Sequence, residues 1–201
     1  IPVEVVIEDV RCQVDRGVQH ITFGDPDFFN GIGHALQVIE SIADNFPDLT
    51  YDVTIKIEHL LQHSDQLVRL RDTGCLFVTS AVESFDDDVL SALNKGHKAA
   101  DVRVAVKTCY EFGINLIPTF VAFTPWTTLE SYITFLDTID ELSLVYHVAP
   151  IQLAIRLLVP DGSYLLTVPE VNACLKPFDP ALLVHPWRHP DPKVDALHDE
   201  I

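Results

Sequence analysis

Two carboxylates follow the first predicted strand of this sequence and are the first candidates for chemistry. Asp25 and Asp27 stand with Gly24 and Pro26 in a loop after a predicted strand over residues 18–23. Carboxylate oxygens in such a loop can bind an ammonium group or a metal ion. A turn rich in Gly, Asp and Pro explains the same residues without any ligand, so the spacing alone leaves both interpretations open.

Charged side chains also follow the second predicted strand, over residues 51–57. Lys56 and Glu58 share one face of an extended segment, either as a polar pair at the mouth of a site or as an exposed pair. His59 and His63 have the i, i+4 spacing of helical metal ligands, but the sequence has no HExxH motif. A zinc role for the two histidines is therefore disfavoured.

Hydroxyl, carboxylate and aromatic side chains end the later predicted strands. Ser80, Glu83 and Ser84 follow the third strand and can hydrogen-bond a ribose or an amino-acid group, or cap the next helix. Phe123 belongs to an apolar edge at the end of the fourth strand that can face a flat ring, and Arg156 lies on the fifth strand.

The elements that must position these side chains alternate between helix and strand. Predicted helices cover residues 2–16, 31–46, 64–72, 86–94, 99–112 and 128–141, predicted strands cover 18–23, 51–57, 75–79, 114–123 and 148–158, and residues 177–192 are predicted coil or linker. Thr127-x-x-Glu130 predicts a capping box for the last of these helices. The alternation predicts a parallel sheet with right-handed crossovers. Sheets of this kind place their sites at the carboxyl ends of the strands, where the polar residues above fall.

Composition excludes several classes of protein. Hydrophobic residues make up 48% of the 201 residues and charged residues 21%, which is enough for a sizeable core and inconsistent with disorder. The net charge of −17 argues against a nucleic-acid partner, because phosphate affinity comes mainly from Lys and Arg. With no apolar run near ~18 residues and no signal-peptide pattern, we expect a cytoplasmic protein with no membrane partner.

The cysteines and the missing motifs narrow the chemistry further. Cys12, Cys75, Cys109 and Cys174 have no spacing typical of a local metal motif, so we expect reduced and mostly buried thiols. A GxSxG elbow, a GxGxxG loop and a P-loop are all absent from the sequence. Serine hydrolases, dinucleotide dehydrogenases and P-loop NTPases therefore lack their expected motifs.

The strand ends together resemble the radical S-adenosylmethionine (radical SAM) superfamily. Phe23-Gly24-Asp25-Pro26 stands where that family has a GGEP-like loop, with Phe23 in place of the first glycine. Ser80-x-x-Glu83-Ser84, followed by a helix that ends in Asn94-Lys95-Gly96-His97, is similar to the family's fourth-strand segment. Residues 120–128 resemble the fifth-strand segment that flanks adenine, and residues 159–163 resemble the turn after the sixth strand.

This resemblance implies a fold and a set of cofactor contacts. The fold is a partial (β/α)6 TIM-like barrel that keeps strands two to six over residues 1–168, with residues 169–201 as a C-terminal extension or linker. The loop after the first strand would bind the amino group of SAM, and the later strand ends would approach its methionyl, ribose and adenine parts. The residues implied in SAM binding are Gly24, Asp25, Pro26, Asp27, Lys56, Ser80, Glu83, Ser84, Phe123 and Arg156.

The family's CxxxCxxC motif, which holds a 4Fe–4S cluster, is absent from this sequence. We expect it upstream of residue 1, in a longer parent protein, and we expect this fragment alone to be inactive. The resemblance implies reductive cleavage of SAM to a 5′-deoxyadenosyl radical, with the cofactor carrying the difficult step. It also implies a reductant such as a flavodoxin or ferredoxin, and a substrate that stays unidentified. The segments GDPDFFNG and KxEHLL are most similar to radical SAM proteins with cysteine-bearing C-terminal tails.

Two other functions stay open from the residues. A metal-dependent barrel hydrolase would use Asp25, Asp27, Glu58 and His59 to bind zinc or manganese. A noncatalytic binding module would keep the barrel and lack the cluster.

Overall fold

A computed structural model describes residues 1–201 as thirteen helices and strands joined by loops and short 3-10 turns. None of the helices is both long enough and apolar enough to cross a membrane. In chain order the elements are α1 Val3–Val14, β1 His20–Thr22, α2 Ile32–Asn45, β2 Thr50–Thr54, α3 Ile57–Gln62, α4 Leu67–Asp72, β3 Cys75–Glu83, α5 Asp87–Ala92, α6 Ala99–Phe112, β4 Asn115–Phe120, α7 Leu129–Glu141, α8 Pro169–Asn172 and α9 Pro192–Glu200.

The strands form one parallel sheet in the order β1-β2-β3-β4. Thr22 pairs with Asp52 across β1 and β2, and Asp52 pairs with Phe77 across β2 and β3, next to a bulge. Each strand is followed by one or more helices, as right-handed crossovers in a parallel sheet require. The predicted partial barrel of alternating strands and helices is confirmed.

The chain divides into two compact units. Unit 1 comprises Ile1–Val82 and Ala100–Pro118, and unit 2 comprises Glu83–Ala99 and Thr119–Ile201. The predicted boundary at residue 168 is a different division, and it stays a prediction.

Unit 1 packs α1 and α2 against one face of the sheet. The buried members of this core are Val10, Val38, Ile42, Phe46 and Leu49, and Ile21 and Phe23 of the β1 segment pack against them. Because strand side chains alternate between faces, His20 and Thr22 point to the opposite face. On that face His20 Nε2 lies 3.0 Å from Asp52 Oδ2, and Thr22 donates a 2.7 Å hydrogen bond to the same oxygen.

Unit 2 builds a separate core from its C-terminal half. Leu157, Val159, Leu165, Val171 and Trp187 are its buried members. The Trp187 indole Nε1 donates a 2.7 Å hydrogen bond to the carbonyl of Leu157. The segment over residues 177–192, predicted as coil, contains no helix or strand before α9, and isolated bridges such as Leu175 with Trp187 tie it to neighbouring residues.

Three predicted elements were wrong in detail. The strand predicted over 148–158 is a 3-10 turn at Pro150–Leu153 followed by one parallel bridge, Phe123 with Arg156. Pro150 is the first residue of this turn, a position that its fixed φ favours. The helix predicted over 64–72 begins as a 3-10 turn at Ser64–Gln66 and is α-helical only over α4. The capping box of α7 pairs Thr128 with Ser131, while the Thr127 hydroxyl donates to the Ala122 carbonyl.

Gly74 is the glycine whose replacement tests this packing most sharply. Its φ is +99°, and a Cβ there would lie 2.8 Å from the backbone oxygen of Leu49. We expect Gly74→Ala to lower the free energy of unfolding by about 2–4 kcal/mol, because left-handed strain adds to a backbone clash. Gly17→Ala is the matched control, since Gly17 has φ +92° but open space around it, so it should lose only about 1 kcal/mol. Urea denaturation of both variants measures this, and equal losses would refute the clash.

Candidate functional site

The loop after β1 holds two carboxylates in different environments. The β1 ladder ends where Phe23 N donates a 3.1 Å hydrogen bond to the Asp52 carbonyl. Beyond it, Gly24 and Asp25 are exposed, and Asp25 Oδ1 accepts a 2.9 Å hydrogen bond from the Asp27 N–H. Asp27 turns inward and is 5% exposed. The exposed carboxylate is therefore available to a ligand, while the buried one fixes the loop.

Asp27 contacts the start of the helix that follows β2. Its Oδ2 lies 2.7 Å from His59 Nδ1 and 3.6 Å from Lys56 Nζ, and its Oδ1 accepts a 3.3 Å hydrogen bond from the Lys56 N–H. The structure thus brings together Asp27 and Lys56, two of the residues proposed from the sequence. It adds His59, which contacts this carboxylate through Nδ1.

Ser80 lies inside unit 1 and is fully buried. It shares its strand face with the buried Val78 and Val82, and its hydroxyl oxygen has no hydrogen-bond partner. Its role as a SAM contact stays a prediction.

Glu83 and Ser84 begin unit 2 at the carboxyl end of β3. Glu83 has a positive φ of 70°, and its Oε1 lies 2.7 Å from Lys95 Nζ. Backbone strain of this kind in a non-glycine residue concentrates at functional sites. Ser84 Oγ accepts a 3.0 Å hydrogen bond from the Asp86 N–H, so its own O–H remains free to donate.

A cavity of about 400 Å³ opens beside these two residues in unit 2. Phe85, Tyr132 and Phe135 supply aromatic surface, and the Phe85 and Phe135 ring centroids lie 6.0 Å apart. Its further lining residues are Glu83, Ser84, Asp86, Asp87, Val89, Ala99, Val121, Ala122, Thr124, Thr127, Ser131 and Thr134. A cavity of this size and mixed lining suits a small molecule with an aromatic ring and hydroxyl groups.

Phe123 and Arg156 lie outside the lining of that cavity, and their side chains are used for packing. The Phe123 ring is fully buried between Tyr132 and His198, at centroid distances of 5.1 and 4.9 Å. Arg156 places its guanidinium 3.7 Å from the Trp187 ring centroid, and its Nη2 lies 2.8 Å from Asp195 Oδ1. Their roles in cofactor binding stay predictions, and these contacts compete with such roles.

The cysteines of the chain do not fit an iron–sulfur cluster. No group of three or more His, Cys, Asp or Glu residues is placed to hold a metal ion. Burial raises the pKa of the Cys75 and Cys109 thiols to about 12, and a thiolate is the form that ligates iron. Cys12 is exposed on α1 and Cys174 is partly buried.

Sequence reasoning missed two groups of polar contacts. The network of His20, Thr22, Thr50 and Asp52 had a usable signal, because these residues alternate along two adjacent strands. The pairing of Arg156 with Asp195 had no local signal, since the two residues are far apart in the chain.

Comparison with known proteins finds one related sequence and several solved structures with a similar fold. No protein-family model matches the chain. The bacteriochlorophyllide d C-8(2)-methyltransferase of Chlorobaculum tepidum is 34% identical over 97 residues, which are 47% of this chain and 20% of that protein. The cobalamin-dependent SAM radical enzyme OxsB, with aqua-cobalamin bound, superposes with a TM-score of 0.81 and 13% identity over 100% of this chain and 36% of its own. The radical SAM methyltransferase TsrM of Kitasatospora setae has a TM-score of 0.57 and 19% identity over 71% of this chain and 27% of its own.

The chain is thus an α/β domain with the parallel sheet of a partial barrel. Its fold is that of the radical SAM core domain, so the resemblance drawn from the sequence is confirmed at the level of the fold. The chain spans about a third of the length of OxsB and a fifth of the methyltransferase relative.

Thiol alkylation checks the burial of the cysteines. At about pH 8 the buried thiols stay protonated, because their raised pKa lies well above that pH. We expect iodoacetamide to modify Cys12 of the folded chain first and to leave Cys75 and Cys109 unmodified until urea is added. Peptide mass mapping with and without urea measures this, and rapid labelling of Cys75 in the folded chain would contradict the assignment.

Removing the Arg156 guanidinium tests how the C-terminal segment is held. Arg156→Met should destabilise unit 2 by about 2 kcal/mol, because a partly buried ion pair and a hydrogen bond to the Trp187 carbonyl are both lost. Arg11→Met is the control, since Arg11 also lies over an aromatic ring, Phe46, but is exposed and should change stability little. Trp fluorescence during urea unfolding measures both, and equal effects would contradict the expectation.

The pKa of Asp195 gives this contact a pH dependence. Burial alone would raise it, but the hydrogen bonds from Arg156 and from the His189 N–H together hold it below its usual value. A carboxyl with a lowered pKa stabilises the folded state above its unfolded pKa and loses that contribution as the pH falls. The stability difference between wild type and Arg156→Met should therefore shrink in acid.

Proposed function

We propose that this chain binds SAM as the core domain of a radical SAM enzyme, with the adenosine part of SAM in the unit 2 cavity. The observation that carries the proposal is the cavity of about 400 Å³ beside Glu83 and Ser84, at the carboxyl end of β3. These two residues are the ones that the resemblance assigned to the ribose and methionyl parts. Their position agrees with the general location of sites in parallel α/β sheets.

The lining of the cavity matches the chemistry of adenosine. Adenine is flat and aromatic, and Phe85, Tyr132 and Phe135 offer ring surface for it. The ribose hydroxyls need hydrogen-bonding partners, and the free O–H of Ser84 can supply one. Glu83 is held by Lys95 and is therefore an ordered acceptor at the strand end. These residues bind and orient the nucleoside, and the apolar wall excludes water from it.

The family resemblance also implies contacts for the amino group of SAM, an iron–sulfur cluster and a reductant, and we include these in the proposal. The exposed Asp25 and the neighbouring Gly24 are proposed contacts for the amino group of SAM. A 4Fe–4S cluster with ligands outside this chain, and a reductant such as a flavodoxin or ferredoxin, would supply the electron for radical chemistry. No step through the cluster is assigned to this chain, since its own cysteines do not fit one.

A second candidate concerns the reaction of the complete protein. We propose methyl transfer, supported by a relative at 34% identity that is a methyltransferase and by the shared fold of TsrM, a radical SAM methyltransferase with cobalamin bound. Anaerobic incubation of the complete, cluster-reconstituted protein with methyl-labelled SAM, cobalamin and reductant tests it. Label leaving SAM for cobalamin supports methyl transfer, whereas 5′-deoxyadenosine without any methyl transfer would refute it.

Blocking the mouth of the cavity tests the adenosine site. Thr134 is an exposed residue of α7 that lines the cavity, so Thr134→Trp should obstruct it without disturbing the core. We expect the affinity for S-adenosylhomocysteine, which shares the adenosine group, to fall at least about tenfold by titration calorimetry. Ile133→Trp is the matched control, because Ile133 is exposed on the same helix and does not line the cavity.

The outcomes separate clearly. Weaker binding for Thr134→Trp and unchanged binding for Ile133→Trp support the site. Binding that neither variant alters would place the nucleoside elsewhere. No detectable binding by the wild-type chain at millimolar ligand would overturn SAM binding by this chain.

A further inference from the structure

A buried aspartate and a histidine meet at the carboxyl ends of β1 and β2 in unit 1. Asp27 Oδ2 and His59 Nδ1 lie 2.7 Å apart, both are sealed from solvent, and neither has an aligned hydrogen-bond partner. Two lone pairs at this distance would repel, so one of the two atoms must carry a proton, and an imidazole nitrogen is more basic than a carboxylate oxygen. The carboxylate therefore favours the imidazole tautomer that carries hydrogen on Nδ1.

The other side of the His59 ring is open. Its side chain keeps 24% of its surface exposed although Nδ1 is sealed, so the exposed edge is the one that carries Nε2. In the neutral ring that has hydrogen on Nδ1, Nε2 bears the lone pair. A carboxylate behind one nitrogen and an open lone pair on the other is the arrangement of a histidine that accepts and returns protons.

A second aspartate–histidine pair in the same unit shows a different use. His20 contacts Asp52 through Nε2 at 3.0 Å and Thr50 Oγ1 through Nδ1 at 2.8 Å. Both of its nitrogens are occupied, so this ring links β1 to β2 and offers no lone pair to a ligand. The two pairs differ in whether one nitrogen is left free.

We propose that His59 is the proton-exchanging residue of unit 1, acting through Nε2, and that Asp27 is its positioning residue. Nε2 takes a proton from an O–H or N–H group of a bound substrate, whose electron pair stays on the substrate. The imidazolium is then held by the Asp27 carboxylate until Nε2 returns the proton to product or water. The proposal stands on unit 1 alone and does not rest on SAM binding.

The surroundings of the pair support this role. Lys56 Nζ lies 3.6 Å from the same Asp27 oxygen, and its side chain is 56% exposed, so it adds positive charge beside the carboxylate. The His63 ring lies 6.5 Å from His59 and contacts Phe29 edge-on at 6.0 Å. Glu58 precedes His59 on α3 and does not join the contact.

Nitrogen NMR of the labelled chain, without SAM, tests the proposal directly. Long-range proton–nitrogen spectra report which ring nitrogen carries hydrogen. We expect hydrogen on Nδ1 and a lone pair on Nε2 for neutral His59, whereas exposed His34 should carry its hydrogen mainly on Nε2. Asp27→Ala should return His59 to the His34 pattern, and Lys56→Met should leave it unchanged.

The rate of chemical modification of His59 distinguishes a proton-exchanging histidine from a purely structural one. Diethyl pyrocarbonate modifies imidazole lone pairs, so His59 should react at Nε2 about tenfold faster than His20, whose nitrogens are both held. His59→Asn keeps a donor toward Asp27 and serves as the folded control that loses this adduct. Hydrogen on Nε2 of wild-type His59, or protection of His59 equal to that of His20, would overturn the proposal even if Asp27→Ala fails to fold.

Discussion

Burial of the Asp27 carboxylate is the constraint on which the strand ends of unit 1 depend. A buried charge is tolerated only where partners compensate the lost hydration. Here the partners are the Lys56 N–H, the Lys56 ammonium and the His59 ring, all at the end of β2. Moving Asp27 away from these partners would leave a buried charge unpaired, so the contacts favour the loop arrangement in which Gly24 and Asp25 are exposed.

Unit 2 uses the same principle at its C-terminal segment. The Arg156 guanidinium is compensated by Asp195, by the carbonyl of Trp187 and by the face of its indole ring. Trp187 in turn donates to the Leu157 carbonyl inside the core. A segment rich in proline forms no continuous ladder, so these side chains and a few isolated backbone bridges hold it together.

Much of the fold could be predicted from sequence, because its strongest elements carry local signals. The helix over 99–112 is found with the predicted bounds, as its apolar spacing and the following Gly113 indicate. The segment 148–158 could not be predicted by the same reasoning. Its apolar residues fit a buried strand, but Pro150 begins a 3-10 turn and the following residues form one bridge, at Phe123.

The candidate site was predictable only in part, because sequence spacing indicates which residues lie at strand ends but not how their side chains pack. Spacing placed Asp27 and Lys56 at neighbouring strand ends, and the structure brings them within 3.6 Å. Spacing gave no information on which carboxylate of the loop is buried, because that depends on His59 reaching it from α3. Likewise the cavity beside Ser84 depends on where α7 packs, and the direction of Phe135 toward Phe85 follows from tertiary contacts.

The two aspartate–histidine pairs show why composition alone does not assign a role. Asp52 with His20 and Asp27 with His59 contain the same groups at similar distances, 3.0 and 2.7 Å. The first is closed by Thr50 on its second nitrogen, and closing both nitrogens makes the imidazole a brace between strands. The second lacks such a hydroxyl and leaves an accessible edge, so the same carboxylate contact orients a ring that can still act on a ligand. The chemistry of each histidine therefore depends on the atom opposite the carboxylate.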